Sequence, residues 1–428
     1  MKLQSIEELH NLFLGSTGIC TDTRKISKDV LFVALVGENF DGNIFVLEAL
    51  AQGAKYALVS DEKYATHDSC ILVDDTLIIL QELSSYHRDY IDIPILALTG
   101  SNGKTTTKEL CAHVLESKFQ LKYTPGNLNN HIGVPLTLLS FDKSINFGIV
   151  EMGANHLYEI KRLCEIAKPN FGLITNIGKA HIGEFGGAEN IKKAKLEMYD
   201  YISANEGVFF YNQDYPDLKN NVQSYKNSIG YSSTLAKGIN ITIHSTDPFI
   251  KYSLGDSVEA TLELGGLHNV ENVKAAIAVA LYFNIQVEEL INQLSSFKAP
   301  SNRSQWMNTE ENELFMDAYN ANPSSVEMAI EYFRSLTDKD TLVIIGDMLE
   351  LGRYSNEEHL AVYTKLVSCE LDFYLIGKNF LGSCPDDNRI FSTKELMEEK
   401  LIHDKPTGKA ILLKASRSME LETLQKLL

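Results

Sequence analysis

The apolar run Ile95-Leu96-Ala97-Leu98 passes through Thr99-Gly100-Ser101-Asn102-Gly103-Lys104-Thr105-Thr106 into a stretch where Leu110, Cys111, Val114 and Leu115 recur at helical spacing. A buried strand therefore turns through glycines into a helix, and such a unit belongs to an α/β fold. Its turn is built for phosphate: backbone N–H groups and the positive helix end face an anion, Lys104 adds a point charge, and a threonine hydroxyl reaches Mg2+. ATP is the ligand this arrangement takes. The spacing departs from G-x-x-x-x-G-K-[ST], because Leu98 stands five residues before Gly103 and Gly100 lies closer in. Polar strand-to-helix turns use the same residue types, but a lysine and three threonines directly after the second glycine favour phosphate binding.

At 428 residues the chain is too long for one typical core, so two or three domains are expected. A formal net charge of -18 argues against a general nucleic-acid or anionic-membrane binder, and anionic substrates then need local basic pockets. The start, Met1 to Leu9, lacks the apolar core of a signal peptide, and no stretch is apolar for the length of a bilayer span. A cytoplasmic protein is expected. Six cysteines stand far apart without a C-x-x-C pair, which points to reduced core residues and not to zinc or disulfides.

Along the first ninety residues, Leu31–Leu35, a helical stretch around Val46–Ala51 and Ala57–Val59 form a βαβ pattern. Ile71–Val73 then leads to Asp74 and Asp75, either of which suits the cap of a helix carrying Leu77, Leu80 and Leu83. In this segment Asp22, Thr23 and Arg24, and likewise Asp41 and Gly42, offer polar groups in loops beside strands. They suit a sugar nucleotide or plain surface turns equally.

Past the phosphate loop lies an amide-rich loop, Asn127 to His131, and then Glu151 at the end of the strand Phe147–Glu151. A carboxylate at that edge is placed to hold Mg2+. Another strand, Phe171–Ile177, delivers His181 to the same edge as a candidate metal ligand, although a lone loop histidine is often a surface residue. Ile191, Lys195, Met198 and Ile202 share a helical stripe, which puts Lys195 among apolar residues; a lysine there can also snorkel to water. Residues 205 to 260 read as polar and irregular with strand-like pieces and little chemistry. Asn269 and Asn272 share a face at the start of an alanine-rich helix, as purine-binding amides or as caps. After a linker-like Ala299-Pro300-Ser301-Asn302, further strands carry candidates in Arg303, in Asp317 to Ser325 with Asn320 and Asn322, in Gly346 to Gly352, and in Lys414 to Ser418.

Taken together, Thr21–Arg24, Thr99–Thr106, Asn129–Pro135, Glu151–His156, Thr175–His181, Asp317–Pro323 and Lys414–Ser418 resemble the Mur ligases, ATP-dependent amide-forming enzymes of peptidoglycan precursor synthesis. The pattern is most similar to the members that add D-alanyl-D-alanine to UDP-N-acetylmuramoyl-tripeptide. The resemblance implies three α/β domains: 1–92 for the UDP-sugar, 93–300 with a shortened P-loop for ATP, and a Rossmann-like 301–428. It implies a monomer that takes the UDP-tripeptide and D-alanyl-D-alanine, with ATP and two Mg2+, and no nucleic acid. By position, Gly100 to Thr106 resemble the nucleotide cradle, with Lys104 and Thr105 on phosphate and Mg2+. Glu151 matches a ligand of the first metal and His181 one near the second, while Lys195 matches a lysine the family carries carbamylated. Asn269 and Asn272 resemble adenine contacts, Arg303 a phosphate contact and Asp317 a ribose contact. Asp22, Thr23, Arg24, Asp41, Gly42, Asn130, Asn320 and Asn322 are implied substrate contacts. The ligase adding the third amino acid and folylpolyglutamate synthetase share the core and are the neighbouring alternatives; an inactive nucleotide-binding scaffold is the non-enzyme one.

Overall fold

The structure, a computed structural model, describes residues 5–235, 238–299 and 303–428. Pro300, Ser301 and Asn302 of the expected linker, and Met1 to Gln4, lie outside the described residues.

Parallel strands buried on both faces must be apolar throughout, and Ile95–Thr99 is buried at all five positions. It sits inside a six-stranded parallel sheet in the order Ser228–Tyr231, Val208–Asn212, Phe171–Ile174, Ile95–Thr99, Phe147–Glu151, Leu121–Tyr123. From Ile95–Thr99 the chain passes to the edge strand Leu121–Tyr123, returns to Phe147–Glu151 and then continues on the other side of Ile95–Thr99, so a crevice opens at its carboxyl end, where ligands of open α/β sheets bind. Helices Lys104–Leu115 and Leu267–Tyr282 pack together on one face through an apolar cluster that includes Leu110, Val114, Val273 and Ile277. The strand-like pieces Val208–Tyr211 and Ile239–Ile243 expected between residues 205 and 260 fall on strands Val208–Asn212 and Ile241–Ser245, but the segment is more regular than the sequence suggests. Val208–Asn212 and Ser228–Tyr231 extend the central sheet, while Ile241–Ser245, Ile250–Leu254 and Ala260–Leu262 form a three-stranded antiparallel sheet. Their apolar residues are spread over short alternating strands, and the intervening turns dilute the pattern.

Before this unit, Ile19–Cys20, Leu31–Val33, Tyr56–Val59 and Cys70–Leu72 make a small parallel sheet. Asp75, not Asp74, caps the helix Thr76–Ile91 by accepting the Leu77 and Ile78 N–H groups. That helix ties the small sheet to the central unit: Leu80 and Leu83 pack in a cluster with Leu139, and Arg88 donates to the Ala167 carbonyl at 3.0 Å. After residue 303 comes a second six-stranded sheet in the order Gln305–Asn308, Glu313–Met316, Ala410–Lys414, Thr341–Gly346, Asp372–Ile376, Ile390–Phe391, parallel except for its first strand. The fold is α/β, with parallel sheets in all three parts. Among the described residues no helix is long and apolar enough to cross a membrane.

Candidate active site

Glycine is required twice in the phosphate loop. Gly100 has φ +147° and a Cβ there would lie 2.0 Å from Thr175 Oγ1; at Gly103, φ +76°, it would lie 2.2 Å from Asn272 Oδ1. The loop is pinned by the neighbouring strand end. Ser101 N–H donates to the Asn176 carbonyl at 3.0 Å, Asn102 N–H to Asn176 Oδ1 at 3.0 Å, and Thr175 Oγ1 donates to the Asn102 carbonyl at 2.6 Å. Lys104 opens the helix and folds back, its Nζ 2.8 Å from the Gly100 carbonyl. Burial lowers its pKa, Glu151 works against that shift and Arg303 adds to it.

Glu151 is 1% exposed. Its Oε1 accepts from Asn129 Nδ2 at 2.7 Å and from Thr105 Oγ1 at 3.3 Å, whereas its buried Oε2 has no hydrogen-bond partner. Lys108 Nζ stands 3.8 Å from that oxygen but is spent on the Thr124 and Gly126 carbonyls. A buried carboxylate oxygen left free beside a threonine hydroxyl fits a hard cation such as Mg2+, which takes oxygen ligands.

A second cluster lies across the crevice. His181 Nδ1 is 2.8 Å from Glu350 Oε2 and 3.2 Å from Glu184 Oε2, and these three side chains could hold a metal ion. The imidazole beside Glu350 draws that carboxyl below its ordinary value. Lys195 is 3% exposed, and its Nζ makes no hydrogen bond or ion pair among the described residues; it lies 5.5 Å from the centre of the Phe185 ring. Burial first, and Lys104 second, lower its pKa to about 7.

A cavity of about 800 Å3 gathers Ser101 to Thr106, Asn130, Glu151, His181, Asn269, Asn272, Arg303, Asp317, Asn320 and Asn322. Asn272 donates to Asn269 Oδ1 at 2.9 Å and accepts from Thr107 Oγ1 at 3.1 Å, so both amides wall the loop. Asp317 Oδ2 lies 2.5 Å from Lys414 Nζ. Asn322 caps the helix Pro323–Arg334 and its Nδ2 donates to Asn102 Oδ1 at 2.7 Å. Asn130 Oδ1 accepts the Ile132 and Gly133 N–H groups. Gly100 and Lys195 are not among the residues that line the cavity. Asp22, Thr23, Arg24, Asp41 and Gly42 stand outside the cavity. There Asp22 is taken by Arg24 in two contacts of 2.8 Å, Asp41 accepts the Asn43 N–H, and a Cβ on Gly42 would meet the Leu35 carbonyl at 2.5 Å.

Sequence alone gave no individual role to Asn129, His268, Ser304 and Tyr319, which line the cavity, or to Lys108 and Glu350, which stand beside Glu151 and His181. Lys108 follows Lys104 by one helical turn, a spacing that could have suggested a second inward lysine. His268 comes from the first turn of the helix Leu267–Tyr282, and the others from loops far apart in sequence.

Family models place the same three parts along the chain: "Mur ligase family, catalytic domain" on residues 16–88, "Mur ligase middle domain" on 98–280 and "Mur ligase, glutamate ligase domain" on 302–411. A UDP-N-acetylmuramoyl-tripeptide–D-alanyl-D-alanine ligase of Bacillus subtilis is 33% identical over 96% of this chain and 92% of its own. The chain belongs to the Mur ligase family. A second relative of this Mur ligase, the Escherichia coli protein of the same description, is 32% identical over 98% of the chain and 95% of its own length. Among solved structures, MurF from Acinetobacter baumannii superposes on this Mur ligase with a TM-score of 0.86 at 29% identity, covering 99% of this chain and 98% of that one. MurF ligase from Thermotoga maritima, solved in complex with ADP, gives 0.83 at 26% identity over 97% of each.

Proposed function

We propose that this chain joins D-alanyl-D-alanine to UDP-N-acetylmuramoyl-tripeptide, with cleavage of ATP to ADP and phosphate, in peptidoglycan precursor synthesis. The observation that carries the reading is one cavity in which Lys104, Thr105 and the free oxygen of Glu151 face Arg303 and Asp317 from the following unit. ATP bound on the loop N–H groups presents its γ-phosphoryl group to the terminal carboxylate of the tripeptide. The carboxylate displaces ADP and becomes an acyl phosphate, and the amine of D-alanyl-D-alanine then attacks the carbonyl and expels phosphate. This chain contributes mainly placement and charge. Lys104 and Arg303 hold the phosphate oxygens, Asp317 takes the ribose, and Asn269 and Asn272 take the adenine side.

Thr105 and Glu151 are the residues suited to one Mg2+, and His181 with a carbamylated Lys195 to a second; bound there, the cations neutralise charge on the phosphoryl oxygens. Support for the carbamate is the buried amine without an acceptor and its lowered pKa, which leaves it neutral enough to take up CO2. Residues 1–92 form the unit for the UDP-sugar, through Asp22, Thr23, Arg24, Asp41 and Gly42, with 93–300 and 301–428 as the ATP and closing units. Asn130, Asn320 and Asn322 face the peptide side. We place the enzyme in the cytoplasm as a monomer, where its nucleotide substrates are made.

The test offers purified protein ATP and UDP-muramoyl tripeptides ending in lysine or in diaminopimelate, with D-alanyl-D-alanine as acceptor, and reads product mass and phosphate. A pentapeptide product with one of the two is expected, and folded Lys104→Ala should release no phosphate. Turnover only when a free third amino acid is offered to a UDP-dipeptide would replace this reading by that of the neighbouring ligase.

A further inference from the structure

Among the side chains of the cavity wall, Arg303 stands apart in how it is held. It has no ion pair and no hydrogen bond among the described residues. Its guanidinium rests on an aromatic face: the guanidinium carbon lies 3.6 Å from the centre of the Tyr319 ring. A second guanidinium, that of Arg417, lies 5.9 Å from the same ring, but its charge is already met by Glu422 at 2.6 Å. Among the described residues the Tyr319 hydroxyl makes no hydrogen bond, and Tyr319 belongs to the loop that carries Asp317, directly after the strand Glu313–Met316.

Arginine is a long side chain whose rotamer freedom has to be lost before it can grip an anion. A ring face fixes the plane of a guanidinium while leaving all five N–H donors free, which an acidic partner would not do. Arg303 and Lys104 line the same cavity, and the positive charge of Arg303 is felt at Lys104. Both cations line one space in which Glu151 acts on Lys104 while Arg303 has no ion pair among the described residues, and a guanidinium so placed suits an anion with several oxygens.

We propose that Tyr319 is a positioning residue for the nucleotide: its ring holds the Arg303 guanidinium in the plane from which it meets the outer phosphates of ATP. The inference rests on the ATP reading of the cavity and adds to it a residue that touches no phosphate itself.

Equilibrium binding of ATP and of AMP to the full-length protein tests both layers separately. Tyr319→Leu should weaken ATP about tenfold, the scale of a partly desolvated cation–π contact, and AMP less than twofold, because AMP lacks the outer phosphates. Tyr319→Phe keeps the ring and should stay within twofold of wild type for both ligands. In an Arg303→Ala background Tyr319→Leu should add nothing. Equal weakening of ATP and AMP, or effects of the two substitutions that multiply, would overturn the proposal in favour of a general packing role. Should Tyr319→Leu melt early, Tyr319→Met poses the same question. Wild-type protein that binds neither nucleotide would overturn the ATP reading itself, and this inference with it.

Discussion

At Lys195 burial works against the ammonium. An ordinary lysine carries its charge far above neutral pH, yet this one, 3% exposed and close to Lys104, has its pKa lowered to about 7. The neutral amine is then a large fraction at neutral pH, and a carbamate, if the amine took up CO2 as proposed, would carry the anionic oxygens a cation wants. Lys195→Ala should lower turnover roughly a hundredfold, the scale of removing one preorganised charge from a site. Formate or acetate should restore part of it. Full activity in Lys195→Ala without added acid would remove the carbamate from the reading. The position of this lysine was legible in the sequence, because Ile191, Met198 and Ile202 mark its stripe, and the helix Ala188–Ala204 buries all four residues. The company of Glu151 was not legible. Asn129 and Lys108 reach it from a loop and from the next helix, and no local period encodes such a meeting.

Elements are joined by contacts of the same hidden kind. Helices Ile6–Leu14 and Thr76–Ile91 meet at His10 and His87, where His10 Nε2 lies 2.9 Å from His87 Nδ1 and His87 Nε2 lies 2.9 Å from the Phe141 carbonyl. The carbonyl only accepts, so His87 carries its proton on Nε2 and accepts from His10 through Nδ1. Tyr86 and Tyr90 cover His10, Asp142 stands near His87, and Lys143 lies over the Tyr90 ring. Burial is the largest cause that lowers both imidazoles, with His87 adding to the shift of His10, which reaches about 4. The unfolded chain then binds more protons between about pH 4 and the ordinary histidine value. This contribution to stability is complete above that value and is lost as pH falls toward 4. The thermal midpoint of wild type should drop from pH 7 to pH 5 more steeply than that of His10→Phe. Parallel slopes would show that the pair does not titrate on unfolding. Strands and helices with a strong period, such as Ile95–Thr99 and Lys104–Leu115, were readable from sequence. Past residue 205 the apolar pieces of Val208–Asn212 and Ile241–Ser245 were readable too, whereas Ser228–Tyr231, Ile250–Leu254 and Ala260–Leu262 were not, because they are short and only tertiary pairing fixes them.

Over the whole molecule a chain of net charge -18 gathers Lys104, Arg162, Arg303 and Lys414 into one cavity, which suits the anionic nucleotide proposed for it. That cavity exists only because the last unit stands against the central one. Asn322 reaches Asn102, Lys179 Nζ is 2.6 Å from Glu358, His181 meets Glu350, and Gly183 N–H donates to the Glu350 carbonyl at 3.1 Å. The tightest approach is at Gly183, where a Cβ would lie 2.5 Å from the Gly352 nitrogen and from the Leu351 carbonyl carbon. Backbone on both sides cannot yield as a flexible side chain would. Gly183→Ala therefore separates two effects of opposite sign. Alanine favours the short helix Ile182–Phe185 over glycine by something under about 1 kcal/mol, so its own unit keeps or gains stability. The approach of the last unit is blocked. Scattering with saturating ATP and UDP-tripeptide should show compaction of wild type and a radius for Gly183→Ala that stays at the unliganded value, with turnover down at least tenfold. Equal compaction of the two proteins would mean that this glycine contact is not part of closure.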